Sequence, residues 1–246
     1  MNSAIDYARL QMAVLADAGC PPPPNASVLD LGCGNGSIVR GWMDCGFDAF
    51  GCDLKFKSGL EVENLEREGR IRLIEFTPYR LPFPDASFDV VFTNQVMEHV
   101  RDYPATLKEI RRIMKPDGRL LNIFPARLRP IEPHVRVPLA TVMQSKAWLS
   151  LWALLGVRTA AQKGTNWRKV AAENHGYLQS STNYLNGPAL RRQFSRFFGE
   201  VRYVEGSYLK LSPNARGRYL HRLAVKLPFL FALYRVVWTR FLLVRP

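Results

Sequence analysis

Val28-Leu29-Asp30-Leu31-Gly32-Cys33-Gly34-Asn35-Gly36-Ser37 carries the fold. It reads as a buried apolar strand that ends in a carboxylate, a turn of alternating glycines, and the start of a helix. Glycine lets the backbone turn tightly and lets a ligand lie against bare main chain. The helix start offers unpaired N–H groups to that ligand. A dinucleotide fingerprint would put its third glycine at the position held by Ser37. The charge of Asp30 would also oppose a pyrophosphate and instead suits a cationic ligand group, such as the ammonium of an amino-acid cofactor.

Two further stretches extend the pattern. Phe47-Asp48-Ala49-Phe50-Gly51-Cys52-Asp53-Leu54 reads as the next strand, and Asp53 falls about twenty residues past the turn, where a ribose-binding carboxylate is expected. Downstream stands Leu81-Pro82-Phe83-Pro84-Asp85-Ala86-Ser87-Phe88-Asp89, followed by the apolar strand Val90 to Asn94. Lys115-Pro116-Asp117-Gly118 then turns into a fifth strand.

These motifs resemble the class I S-adenosylmethionine-dependent methyltransferases, in the broad family that includes ubiquinone and menaquinone biosynthesis enzymes. The resemblance covers about residues 25 to 125, with a weaker echo from Tyr184 to Val201. It implies a Rossmann-like α/β fold: a seven-stranded, mostly parallel sheet with an antiparallel last strand and helices on both faces. It also implies S-adenosyl-L-methionine as cofactor, bound by Asp30, Gly32, Cys33, Gly34, Asn35, Gly36, Asp53, Leu54, Thr77, Asn94 and Gln95. One position departs from the family. Thr77 stands where an acidic residue usually holds the adenine amino group, and Glu75 lies two residues earlier.

The alternation of elements independently predicts a parallel sheet with crossover helices. Strands are expected near 26–31, 48–53, 71–76, 88–93 and 119–124, and helices near 35–45, 58–68 and 103–114. A helix is also expected from Ser3 to Ala18, before the Pro21–Pro24 spacer. The chain divides into residues 1–24, a cofactor-binding half at 25–125, a lid inserted at 126–186, and C-terminal helices and last strands at 187–246, all within one domain. Helix is expected over 217–237, with the seventh strand at 238–244.

Charge divides the chain differently. Residues 1–124 hold 14 Lys and Arg against 17 Asp and Glu, whereas 125–246 hold 20 against 4. The strongly basic half calls for an anionic partner: a small-molecule, lipid-linked or envelope-glycan acceptor, or nucleic acid. Helix 217–237 combines basic and apolar residues in a pattern that suits the surface of an anionic membrane. Arg235 and Arg240 oppose a membrane-spanning helix there. The four cysteines lack metal-ligand spacing, no secretory signal is visible, and a cytoplasmic location follows, with the inner face of the membrane as an alternative.

Methyl transfer from a sulfonium is an in-line displacement that needs alignment of the nucleophile and exclusion of water. A hydroxyl acceptor also needs a base. His99, after the fourth strand, and His134, at the opening of the lid, are the candidate catalytic bases, and no metal site is expected. O-methylation is therefore the preferred chemistry. An RNA methyltransferase using the basic half is the first rival, and a non-catalytic cofactor-binding protein the second. The acceptor, its reacting atom and the oligomeric state have no signature in the sequence.

Overall fold

The computed structural model describes residues 4–246. Its central sheet has seven strands: β1 (Ser27–Leu31), β2 (Asp48–Asp53), β3 (Ile71–Leu73), β4 (Phe88–Asn94), β5 (Met114–Pro125), β6 (Glu200–Tyr203) and β7 (Thr239–Arg245). They lie in the order β3-β2-β1-β4-β5-β7-β6. The first five are parallel, and β7 runs antiparallel to both of its neighbours, as the resemblance implies. The order reverses at β1, which has β2 on one side and β4 on the other. A crevice at the C-terminal ends of β1 and β4 is the usual ligand site of such a sheet.

Side-chain alternation along the strands gives the sheet two apolar faces. Phe92, Phe241 and Leu243 belong to one core, with Trp42 and Leu65 from the covering helices. Val91, Leu242 and Val244 belong to the other, with Leu107, Ile110 and Phe194. The first face is covered by α1 (Ala4–Asp17) and α2 (Ser37–Asp44), which are tied together by a buried hydrogen bond from Trp42 Nε1 to Gln11 Oε1 at 2.8 Å. The crossover helix α3 (Leu60–Arg67) follows β2. On the second face, α4 (Tyr103–Ile113) starts at Asp102, whose carboxylate accepts from the Ala105 N–H at 2.9 Å, with Pro104 in the first turn. Of the expected first helix, Ser3 lies outside the described residues.

Three expected boundaries differ. The strand expected at 71–76 stops at Leu73; Glu75–Phe76 instead pairs with Tyr79–Arg80 in a separate antiparallel ribbon. The chain reverses there through Thr77-Pro78, where proline offers no N–H to a longer ladder. The helix expected over 217–237 is two helices, broken at Leu227-Pro228 for the same reason. They are α9 (Ala215–Lys226) and α10 (Phe229–Val237), the last two of ten α-helices among the described residues. The fifth strand starts earlier than expected, since Lys115-Pro116-Asp117-Gly118 lies within β5, with a shift in register against β4 between Phe88 and Val90.

Residues 126–186 lie between β5 and α7 (Gly187–Phe194). They contain α5 (Lys146–Leu154), a single 3₁₀ turn and α6 (Trp167–Ser181). This segment has its own small core of Val135, Val137, Leu149 and Leu178. The remaining helix, α8 (Glu205–Leu211), bears Glu205, which pairs with Arg235 of α10.

Candidate active site

The glycine turn after β1 is held by Asp53, the last residue of β2. Asp53 Oδ2 accepts from the Gly34 N–H at 2.8 Å, and Oδ1 accepts from the Leu54 N–H at 2.7 Å. Oδ1 also accepts from the Lys55 N–H at 3.4 Å, so Oδ2 keeps the freer lone pair for a ribose hydroxyl. The turn needs glycine for two reasons. Gly32 and Gly36 have φ of 84° and 73°, in the left-handed region. A Cβ on Gly32 would also lie 2.3 Å from Val96 Cγ2, and one on Gly36 would lie 2.3 Å from Leu65 Cδ1. Asn35 Oδ1 accepts from the Ser37 N–H at 3.3 Å and from its hydroxyl at 2.9 Å. The Cys33 side chain is buried against β2, and burial pushes its thiol up.

Gly32, Asp53 and Leu54 open into a cavity of about 650 Å³, which also has Phe76, Gln95 and His99 in its wall. Gln95 turns out of β4 with φ of 58° and donates its N–H to Ile123 O at 2.8 Å. Of the expected cofactor residues, Gly32, Asp53, Leu54 and Gln95 line this wall, whereas Asp30, Cys33, Gly34, Asn35, Gly36, Thr77 and Asn94 do not. Asn94 ends β4 half-buried, and Thr77 sits exposed at the tip of the small ribbon, where Phe76 is the residue that lines the cavity. Glu75 faces a different, shallower cavity beside Arg80 and Pro82.

Asp30 is 2 % exposed beneath the glycine turn, and its Oδ2 has no hydrogen-bond partner. Burial, reinforced by the charge of Asp53, raises its pKa to about 7. A buried carboxylate lacking a partner destabilises its ionised form until a cation arrives. The ammonium of an amino-acid cofactor would be such a cation.

The two candidate histidines come from distant parts of the sequence and meet. The His99 and His134 rings pack edge to face, with centroids 4.8 Å apart. His99 Nδ1 lies 2.6 Å from Ser181 O at the end of α6, and burial lowers its pKa, keeping the ring neutral at pH 7. His134 Nδ1 lies 2.7 Å from Glu132 Oε1. Burial works to lower the His134 pKa, but the hydrogen bond and charge of Glu132 outweigh it, and the net shift is upward. Glu132 is fully buried and is fixed by three other donors: the N–H groups of His134 and Val135, each at 2.7 Å, and the Tyr184 hydroxyl at 2.6 Å. A carboxylate that orients an imidazole through Nδ1 leaves Nε2 for chemistry.

Sequence reasoning missed Glu132, Tyr184 and the burial of Glu98. Glu98 is 1 % exposed, neither carboxylate oxygen has a partner, and burial raises its pKa to about 7. The Glu132-Pro133-His134 spacing was visible, but only the fold of the 126–186 segment brings Tyr184 and His99 to it.

Comparison with known proteins agrees with this geometry. Residues 29–122 match the family described as "Methyltransferase domain". Over 98 residues the chain is 35 % identical to demethylmenaquinone methyltransferase of Beutenbergia cavernae, covering 40 % of each protein. Over 93 residues it is 31 % identical to the malonyl-[acyl-carrier protein] O-methyltransferase of Pseudescherichia vulneris, covering 38 % of this chain and 36 % of that protein. The chain thus spans about two fifths of the length of the curated relatives it matches. Among solved structures, a phosphoethanolamine N-methyltransferase 2 of Haemonchus contortus, in complex with S-adenosylhomocysteine, superposes with a TM-score of 0.51 at 18 % identity, covering 96 % of this chain and 53 % of that one. That likeness concerns the fold.

Two measurements check the cofactor half. Asp53→Ala should weaken S-adenosylhomocysteine binding at least tenfold by calorimetry, and unchanged affinity would remove Asp53 from the ribose site. Asp30→Asn tests the buried carboxylate by urea unfolding of the ligand-free protein across pH. An Asp with a raised folded pKa costs stability only once the unfolded state ionises, near pH 4, and the cost is complete above about pH 7. The stability difference should therefore move in favour of the variant between about pH 4 and 7 and stay level above. A difference independent of pH would contradict the assignment.

Proposed function

We propose, from the match of residues 29–122 to the methyltransferase-domain family, that the chain transfers a methyl group from S-adenosylmethionine to an oxygen of a small or lipid-linked anionic acceptor. The observation that carries this reading is the continuity of one cavity. The carboxylate of Asp53 and the bare backbone of Gly32 stand at one part of its wall, and His99, packed on His134, stands at another.

In this reading Asp53 takes the ribose hydroxyls, Phe76 and Leu54 flank the adenine, and Asp30 neutralises the ammonium beneath the turn. The sulfonium methyl then points toward the imidazole pair. The acceptor hydroxyl binds there and gives up its proton to one of these imidazoles. Its oxygen attacks the methyl carbon as the carbon–sulfur bond breaks, and the bonding pair leaves with sulfur as S-adenosylhomocysteine. The lid residues His134 and Tyr184 exclude water from this exchange.

Charge and surface support the acceptor class. Arg127, Arg129 and Arg136 line clefts of the basic lid, where they would meet an anionic group. On α9, α10 and the residues just beyond each, Tyr219, Leu227, Phe229, Leu233 and Trp238 are each about half to two thirds exposed, beside the exposed Arg222 and Lys226. Such a face fits the headgroup region of an anionic membrane. No helix among the described residues is long and apolar enough to cross one.

Methyl-labelled S-adenosylmethionine, incubated with the protein and a whole-cell extract, tests the proposal after partition between organic solvent and water. Label in the organic phase, or in a small anionic molecule, is the expected result. Label in nuclease-sensitive material would transfer the basic lid to nucleic acid, and no transfer to any fraction would oppose the enzymatic reading.

A further inference from the structure

We infer that Glu98, His99 and His134 form a binding site for a divalent first-row transition-metal ion, set between the cofactor cavity and the lid. Each residue offers one ligand atom, and these atoms lie within 4.8 Å of one another. Metal–ligand bonds of about 2.0–2.2 Å would place the three donors roughly 3.0–3.6 Å apart, so side-chain rotations closing an ångström or so complete the site.

Glu98 is the first independent reason. Its two carboxylate oxygens are buried and unpartnered, a costly arrangement that the methyl-transfer scheme leaves unused. A cation held against the two imidazoles supplies the missing counter-charge.

The outer contacts are the second reason. Histidine ligands characteristically place their other ring nitrogen against a carboxylate or a backbone carbonyl, which fixes the tautomer and the ring orientation. Both histidines here do so: Nδ1 of His134 faces Glu132 at 2.7 Å, and Nδ1 of His99 faces Ser181 O at 2.6 Å. Nε2 of each ring is the nitrogen left to bind an ion. Glu132 is itself held by Tyr184 and two backbone N–H groups, so the orienting carboxylate is rigid.

Ligand chemistry selects the class of ion. Two imidazoles and one carboxylate suit zinc, iron(II), cobalt or manganese, whereas calcium and magnesium prefer all-oxygen sites. Three protein ligands leave at least one position open, and His99 borders the cofactor cavity, so that position is available to an acceptor oxygen.

A catalytic role for the ion rests on the methyl-transfer reading, whereas its binding does not. With the ion in place the imidazoles are ligands and no longer proton acceptors. The ion would lower the pKa of a coordinated hydroxyl, which would lose its proton to solvent as it binds. Its oxygen would then attack the methyl carbon as the carbon–sulfur bond breaks, the bonding pair leaving with sulfur as S-adenosylhomocysteine.

Cobalt(II) chloride, titrated into the full chain after chelator treatment, is the test. One equivalent should bind, with weak visible bands from imidazole and carboxylate ligation and no strong near-ultraviolet thiolate band. Zinc should displace it. Glu98→Gln and His134→Ala should each weaken binding at least tenfold while retaining S-adenosylhomocysteine affinity, which reports that the variants are folded. Failure of the wild-type protein to bind cobalt or zinc would overturn the inference whatever the variants do. So would a thiolate band, or unchanged binding in both folded variants. Cobalt binding without any affinity for S-adenosylhomocysteine would keep the metal site and reject the methyl-transfer reading alone.

Discussion

The site depends on one carboxylate bridging two strands' ends. Asp53 closes β2 and accepts backbone N–H groups from both the glycine turn, at Gly34, and its own exit, at Leu54. The turn in turn requires close approach: Gly32 lies against Val96 after β4 and Gly36 against Leu65 of α3. Three parallel strands, β2, β1 and β4, are thereby locked at the point where the strand order reverses, with their C-terminal ends facing one cavity. Losing the Asp53 contacts would loosen the turn itself and not only remove a ligand.

Acidic groups in this region are unusually little compensated. Asp30 and Glu98 are both buried, both leave oxygen atoms without hydrogen-bond partners, and both have pKa values raised to about 7. Glu132, equally buried, shows the contrasting solution: burial pushes its pKa up, but hydrogen bonds from His134, Tyr184 and Val135 more than offset that. Asp30 and Glu98 thus keep unpartnered carboxylate oxygens, while Glu132 uses its oxygens to orient the His134 imidazole beside Glu98.

The strands and the glycine turn were legible in the sequence because their signals are local. An apolar run that ends in Asp30, a turn with three glycines, and an Asp about twenty residues later each follow from backbone and charge requirements. The antiparallel β7 was legible through the family resemblance, with Arg235 and Arg240 arguing against a spanning helix. Local breaks were harder to place. β3 stops at Leu73 where its strand pattern runs on to Phe76, and the helical pattern of 217–237 breaks at Leu227-Pro228. Least legible was the cluster at the lid, since Glu98, His134 and Tyr184 are separated by dozens of residues and meet only through tertiary packing. His99 and His134 were candidates as separate bases; their ring contact and the shared ligand geometry with Glu98 come from the fold.

The orientation of the cofactor in the cavity is the central claim, and a crystal structure with S-adenosylhomocysteine tests it most directly. The account predicts ribose hydroxyls on Asp53, adenine beside Phe76, the ammonium toward Asp30, and the sulfur atom facing the His99–His134 pair. A ligand bound in the reverse sense, with sulfur directed away from both histidines, would contradict it.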